Sequence, residues 1–421
     1  MQFAFLTNTA LDEAIQKYQD VLIGHGLRYR TEIIDTQNTL NRVSARAVYA
    51  RISAPHYNAC GMDGIALDSK KTFGATETTP VKLGASDFLW VDTGDPLPVG
   101  CDAVVMVEDV VEADGWYLLY SAAVPWQNVR QIGEDISAGD MIIPSFTVIT
   151  PACMGAMLAA GVLQVEVVKR PVIGILPTGD EMVLPTEKPR EGDIIEFNSS
   201  IFSGMLTEWG CIPKVYPIVK DDLVLIQEAL AAAIGECDGV IINAGSSAGR
   251  ADYAKEAIQK VGEVVLHGIA IKPGKPAVLA FAMREELPCC VPVVGVPGYP
   301  VSGIIVMDAI FKPLLEKLTC RTFGKAETIE AVVSRRLTSS LKYREFIRAR
   351  LGWVGGKMVA VPLNRGAGVV SSFVKADGII DVPQNVEGYE AGEKVTVRLT
   401  HSFEEIQRML VISGSHDPLL D

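Results

Sequence analysis

The residues able to do chemistry sit just beyond short apolar runs. Ile271-Lys272-Pro273-Gly274-Lys275-Pro276 sets two lysines in one turn stiffened by two prolines. Restricting that backbone lowers the entropy cost of aiming both ammonium groups at one anion. Pro177-Thr178-Gly179-Asp180-Glu181 puts a carboxylate pair after VIGIL, where it can hold a hard cation or a ligand hydroxyl. The segment NAGSSAGRAD (243–252) follows GVIIN. Its small residues let backbone N–H groups approach an anion near a helix start, while Ser247 adds a hydroxyl and Asp252 a carboxylate. GVPGYPVS (295–302) bends the chain after Pro297 and leaves Ser302 in the first turn of a helix, again an anion-binding position. Asp63 precedes a strand, Arg348 lies on one, and Ser371 follows a glycine-rich loop. Singly, each of these also reads as an ordinary turn or surface loop. Together, two lysines, an arginine and several serines make an oxyanion pocket, and Asp180, Glu181, Asp221, Asp222 and Asp252 can place Mg²⁺ beside it. That combination suits phosphoryl or nucleotidyl chemistry. The five histidines share no motif, and no Ser–His–Asp or Cys–His arrangement is suggested.

The elements that must position these groups fall into modules. LDEAIQKYQDVLIG (11–24) has helical spacing and ends in a glycine. Residues 53–139 carry short β-prone runs separated by Gly, Pro and Asp, an all-β module. A second helix is expected at 150–161, with Pro151 in its first turn. From 171 the pattern alternates: VIGIL, a helix capped by Asn198 or Ser199, VYPIV, a helix capped by Asp221 or Asp222, GVIIN, a helix over 251–262, VPVVGV and a helix near 300–318. Such alternation predicts a mostly parallel sheet with helices on both faces, and ligands bind beyond the carboxyl ends of its strands. Residues 326–402 return to short β runs. The expected organisation is therefore 1–52 and 140–170 as two parts of a helical linker domain, 53–139 as the β insert, 171–325 as the doubly wound α/β domain, and 326–402 as a terminal β module. Residues 403–421 read as the possible start of a further domain, with a strand, a turn and a helix start over 409–421; the other reading is a terminal strand and arm packing back on a dimer.

The 421 residues carry 38 Lys+Arg against 51 Asp+Glu, a formal charge of −13. An acidic chain without a basic run argues against nucleic acid and anionic membrane surfaces, yet a few placed cations still serve one small anion. The eight cysteines form no CxxC pair and read as buried, reduced thiols of a cytoplasmic protein. The most apolar stretch, 289–311, is broken by Pro292, Pro297 and Pro300 and reads as strand, turn and helix instead of a membrane span.

The ordered set CGMDGIAL, TGDPLPVGCDAVVM, NVRQIGEDISAGD, LPTGDEM, IVKDD, GRADY, AIKPGKP, GVPGYPVS and SSF resembles the molybdopterin molybdenumtransferases, the MoeA-type molybdenum insertases similar to the E domain of gephyrin. The likeness runs from about residue 11 to 400. It implies a multidomain fold with a molybdopterin-binding α/β domain and a β-barrel-like terminal module. It also implies Mg²⁺-dependent insertion of molybdate into adenylylated molybdopterin with release of AMP, by a homodimer. By the same resemblance Lys272, Lys275, Pro276, Pro297, Ser247, Ser302, Arg348 and Ser371 surround molybdate or the pterin dithiolene. Asp180, Glu181, Asp221, Asp222 and Asp252 hold Mg²⁺ and the adenylate phosphates, and Asp63 reaches in from a partner subunit. Three positions depart from the family: Ala244 where it has Gly, Tyr299 where it has Asn, and Ile65 where it has Tyr. These departures raise two alternatives, a tungstate-specific insertase and a non-catalytic molybdopterin or molybdate sensor or carrier. A third alternative is another nucleotide-cleaving enzyme on the same α/β fold.

Overall fold

The computed structural model describes residues 8–186, 188–244, 251–284, 289–324 and 326–409. The chain forms two compact units, residues 1–30 with 169–421, and residues 31–168.

The larger unit is built on a six-stranded sheet. Its spatial order is Ile212–Val215, Val172–Pro177, Gly239–Ala244, Cys290–Pro297, Val278–Met283 and Glu263–His267. The first four strands run parallel and the last two antiparallel to their neighbours. The central runs are buried on both faces, as expected when helices cover both sides. The expected strand VYPIV is displaced: the ladder ends at Val215, and Pro217, with no N–H to donate, breaks it. The chain then touches the sheet edge once more, through a bridge between Thr178 and Val219.

Helices pack where their caps and apolar faces direct. Asp222 caps Leu223–Glu236, its Oδ1 accepting from the N–H groups of Val224 and Leu225. Helix Asn198–Glu208 has Phe197 at its cap position, so Asn198 and Ser199 are its first and second residues. A continuous helical run over 300–319 includes a π turn at Met307–Phe311. Helix Leu11–Gly24, expected to open a linker domain, instead lays Leu11, Ala14, Tyr18 and Leu22 into the α/β core. The buried Tyr18 hydroxyl pins it there, donating to the carbonyls of Ala280 at 2.7 Å and Val293 at 3.2 Å.

The terminal β module is a closed five-stranded barrel. Arg344–Val354 pairs with Lys357–Pro362, then follow Thr328–Val333, Lys394–Leu399 and Gly378–Val382, which returns to Arg344–Val354. Closure removes the exposed edges that an open sheet would leave. The short strand Ile271–Lys272 pairs in parallel with Arg344 and Glu345, so part of the α/β domain is stitched onto the barrel. An ion pair from Arg398 to Asp308 at 2.7 Å adds a second link. Helix Phe403–Arg408 follows behind a capping box of Ser402 and Glu405. The strand and helix start expected beyond it, residues 410–421, lie outside the described residues.

The smaller unit holds the β insert, with three-stranded sheets around Gly64–Leu67 and around Trp116–Leu119. It also contains helix Pro151–Ala159, whose cap Thr150 accepts from the Cys153 N–H. Among the described residues no helix is long and apolar enough to cross a membrane.

Candidate functional site

The lysine turn is held by the barrel. Lys272 Nζ lies 3.4 Å from Glu345 Oε1, and Arg365 Nη1 approaches the same oxygen at 3.5 Å. Glu345 is only 2% exposed, and its Oε2 accepts from the Ser339 hydroxyl at 2.8 Å. Lys275 Nζ sits 5.4 Å from the centre of the Tyr343 ring, a cation–π contact. Gly274 makes the turn possible: its φ is +113°, and a Cβ there would lie 2.9 Å from Ile271 Cδ1. Two cations thus share one buried carboxylate and a third stands in the same turn, leaving positive charge free for an anion.

Arg348 departs from the sequence reading. It is 1% exposed, and its donors are taken up inside the protein. Nε donates to Ser372 Oγ at 3.1 Å, Nη1 to Phe346 O at 3.3 Å, and Nη2 to the carbonyls of Asn364 and Gly366 at 2.9 and 3.4 Å. Burial pulls its pKa below the usual arginine value, opposed by the nearby Glu345 charge. These bonds tie the guanidinium to the 364–372 loop. That loop in turn reaches the α/β domain, where Ala367 O accepts from the Val301 N–H at 3.0 Å. One of the free amides expected beside Ser302 is therefore already used. Ser302 itself is buried, Pro297 ends its strand half-buried, and Pro276 and Ser371 are exposed.

At the carboxyl edge, Asp180 is exposed and its Oδ1 accepts from the Asp221 N–H at 3.2 Å. Asp222 commits Oδ1 to its helix cap. Among the described residues no three His, Cys, Asp or Glu side chains are grouped to hold a metal. Ser247 and the side chain of Asp252 lie outside the described residues.

Beside this edge lies a cavity of about 190 Å³ lined by Glu181, Met182, Ile194, Ile195, Glu196, Phe197, Asn198, Gly298, Tyr299, Pro300 and Gly368. Asn198 Nδ2 donates to Gly298 O at 2.8 Å, while Asn198 Oδ1 and Asn243 Nδ2 are buried without a partner among the described residues. Glu345, Arg365, Glu196 and Asn243 stand beside these groups and were not among the residues expected from sequence. An arginine inside NRGAG after a strand was the one available signal for Arg365.

In the smaller unit, Asp63 Oδ1 accepts from the Thr93 hydroxyl at 2.7 Å and the Thr93 N–H at 2.6 Å, which hold its carboxyl below the usual range. Gly64 beside it has no room for a side chain, since a Cβ would lie 2.0 Å from Val105 O.

The doubly wound domain followed by a closed barrel is a fold shared with a solved molybdopterin biosynthesis protein. The chain matches the MoeA N-terminal region (domain I and II) over residues 9–161, the "Probable molybdopterin binding domain" over 174–317 and the MoeA C-terminal region (domain IV) over 330–400. It is 32% identical to a molybdopterin biosynthesis protein of Methanocaldococcus jannaschii, over 87% of this chain and 91% of that one. It is 29% identical to the molybdopterin molybdenumtransferase of Haemophilus influenzae, over 87% and 93% respectively. The solved molybdopterin biosynthesis MoeA protein of Pyrococcus horikoshii superposes with a TM-score of 0.76 at 28% identity, covering 94% of this chain and 100% of that one. The chain belongs to the MoeA family, transferases of molybdenum cofactor biosynthesis.

Proposed function

We propose that the protein inserts molybdate into adenylylated molybdopterin with Mg²⁺, releasing AMP. The observation that carries this reading is the gathering of Lys272 and Arg365 around the buried Glu345, with Lys275 in the same turn. Such a site suits a tetrahedral dianion, because its cations are preorganised and only partly neutralised. Lys272 and Lys275 would bind molybdate. Arg348 acts as a positioning residue through the 364–372 loop, and Ser302, Ser371, Pro276 and Pro297 shape the rim; Ser247 is proposed there on the family motif. Mg²⁺ needs few protein ligands and keeps several waters, so the exposed Asp180 with Glu181 fits it, and Asp221, Asp222 and Asp252 are proposed as further carboxylates. When bound, the ion neutralises phosphate charge. Asp63, kept ionised by Thr93, is proposed to serve the site of a partner subunit in a homodimer. The test is AMP release from adenylylated molybdopterin with Mg²⁺, with and without molybdate. Lys275→Ala should abolish the molybdate-dependent part; undiminished turnover would refute the role of Lys275, and binding without AMP release would favour a carrier.

A further inference from the structure

At the opposite edge of the six-stranded sheet, where its central strands begin, lies a second cavity of about 100 Å³. Cys290, in its wall, opens strand Cys290–Pro297, and Asp238 stands one residue before strand Gly239–Ala244. At about 3.3 Å per residue, the strand from Cys290 puts this cavity about 23 Å from the carboxyl edge. Three arginines line it, Arg28, Arg30 and Arg284, against one carboxylate, Asp238.

Asp238 is fully committed. Its Oδ1 pairs with Arg30, and its Oδ2 accepts from the Val172 N–H at 2.9 Å. Arg284 donates from Nε and Nη2 to the Ile234 carbonyl at 3.1 and 2.9 Å, and from Nη2 to the Cys237 carbonyl, closing the end of helix Leu223–Glu236. Those carbonyls hold the guanidinium without a full counter-charge, and its Nη1 has no partner among the described residues. Arg28 is exposed and makes no ion pair among the described residues. Two guanidinium charges therefore border one cavity with no carboxylate to balance them, and low-dielectric walls focus such a field on a bound anion. The walls between them are aliphatic, from Leu27, Val291 and Leu318. A bare oxyanion leaves that surface uncovered, whereas an apolar body gains by covering it. A cavity of about 150 Å³ accepts benzene, so this smaller one takes a body of roughly three to five carbons.

We propose that this cavity binds a short aliphatic carboxylate, its charge held by Arg28 and Arg284 Nη1 and its body laid against Leu27, Val291 and Leu318. The planar guanidinium fork of Arg28 matches a carboxylate through two parallel hydrogen bonds. The site is separate from the lysine turn and does not depend on what the protein inserts.

The test is calorimetric titration of the full chain with 3-methylbutanoate, with 3-methylbutan-1-ol and inorganic phosphate as comparators. The carboxylate should bind at one site, and the alcohol, which has the same body without the charge, ~10-fold more weakly or not at all. Arg28→Ala removes an exposed side chain with no ion pair to lose, so it should fold, and it should weaken the carboxylate ~10-fold. Arg28→Lys keeps the charge without the fork and should fall between the two. Lys275→Ala should leave this binding unchanged. No binding by the unaltered chain, or equal affinity in Arg28→Ala, would overturn the assignment. Loss of binding in Lys275→Ala would move the carboxylate to the lysine turn and refute a second site. Phosphate binding as tightly, with the same dependence on Arg28, would refute the aliphatic ligand class.

Discussion

Arg348→Met probes how the barrel loop is held. Methionine keeps an apolar stem in a site that is 1% exposed and removes the guanidinium. Two of its bonds are in the ordinary range, to Asn364 O at 2.9 Å and Ser372 Oγ at 3.1 Å; those at 3.3 and 3.4 Å are weaker. Two charged hydrogen bonds contribute about 3–6 kcal/mol. Removing the buried charge recovers part of its desolvation cost, so the net loss is about 2–3 kcal/mol. That loss should appear locally, because the loop is the part Arg348 holds. Hydrogen exchange reads it at the Gly366 N–H, bonded to Asn364 Oδ1 at 3.0 Å, and at the Val301 N–H, bonded to Ala367 O at 3.0 Å. Both should exchange ~30-fold faster or more if they open with the loop. Unchanged exchange at both amides would refute the positioning role and return Arg348 to the question of direct ligand contact.

Glu345→Gln should tighten sulfate binding ~3–10-fold by releasing Lys272 and Arg365 from their counterion. It should cost only about 1–2 kcal/mol of stability, since both cations stay partly solvated and Gln can still accept from Ser339; weaker sulfate binding in a titration would contradict this. Asp63 should titrate below the ordinary carboxylate range. Because its folded pKa is depressed, its contribution to stability is present above the unfolded value and is lost as pH falls through the folded value. Thr93→Val keeps the amide donor and removes the hydroxyl, so the Asp63 pKa seen by carboxyl NMR should move part of the way back up.

Much of this was legible in the sequence because local and global signals agree. The five strands of the barrel were the five terminal β runs, and Pro151 and Asp222 marked helix starts that the structure has. The strands Glu263–His267 and Val278–Met283 were not read, since periodicity alone does not tell a short continuous apolar run in a strand from one in a buried helix. The burial of Arg348 was not legible for a physical reason. Positions 345–349 are buried in succession, so both faces of that strand are covered and alternation no longer tells inside from outside. Glu345 and Arg365 lie twenty residues apart and meet because the hairpin of Arg344–Val354 and Lys357–Pro362, continued past the Ala349–Pro362 pair, brings its two ends together.

The most direct test of the oxyanion site is a crystal soak with molybdate, read by anomalous scattering from molybdenum. A peak within hydrogen-bond reach of Lys272 Nζ, Lys275 Nζ and Arg365 Nη1 is the predicted result. A peak elsewhere, with none at the lysine turn, would contradict the account.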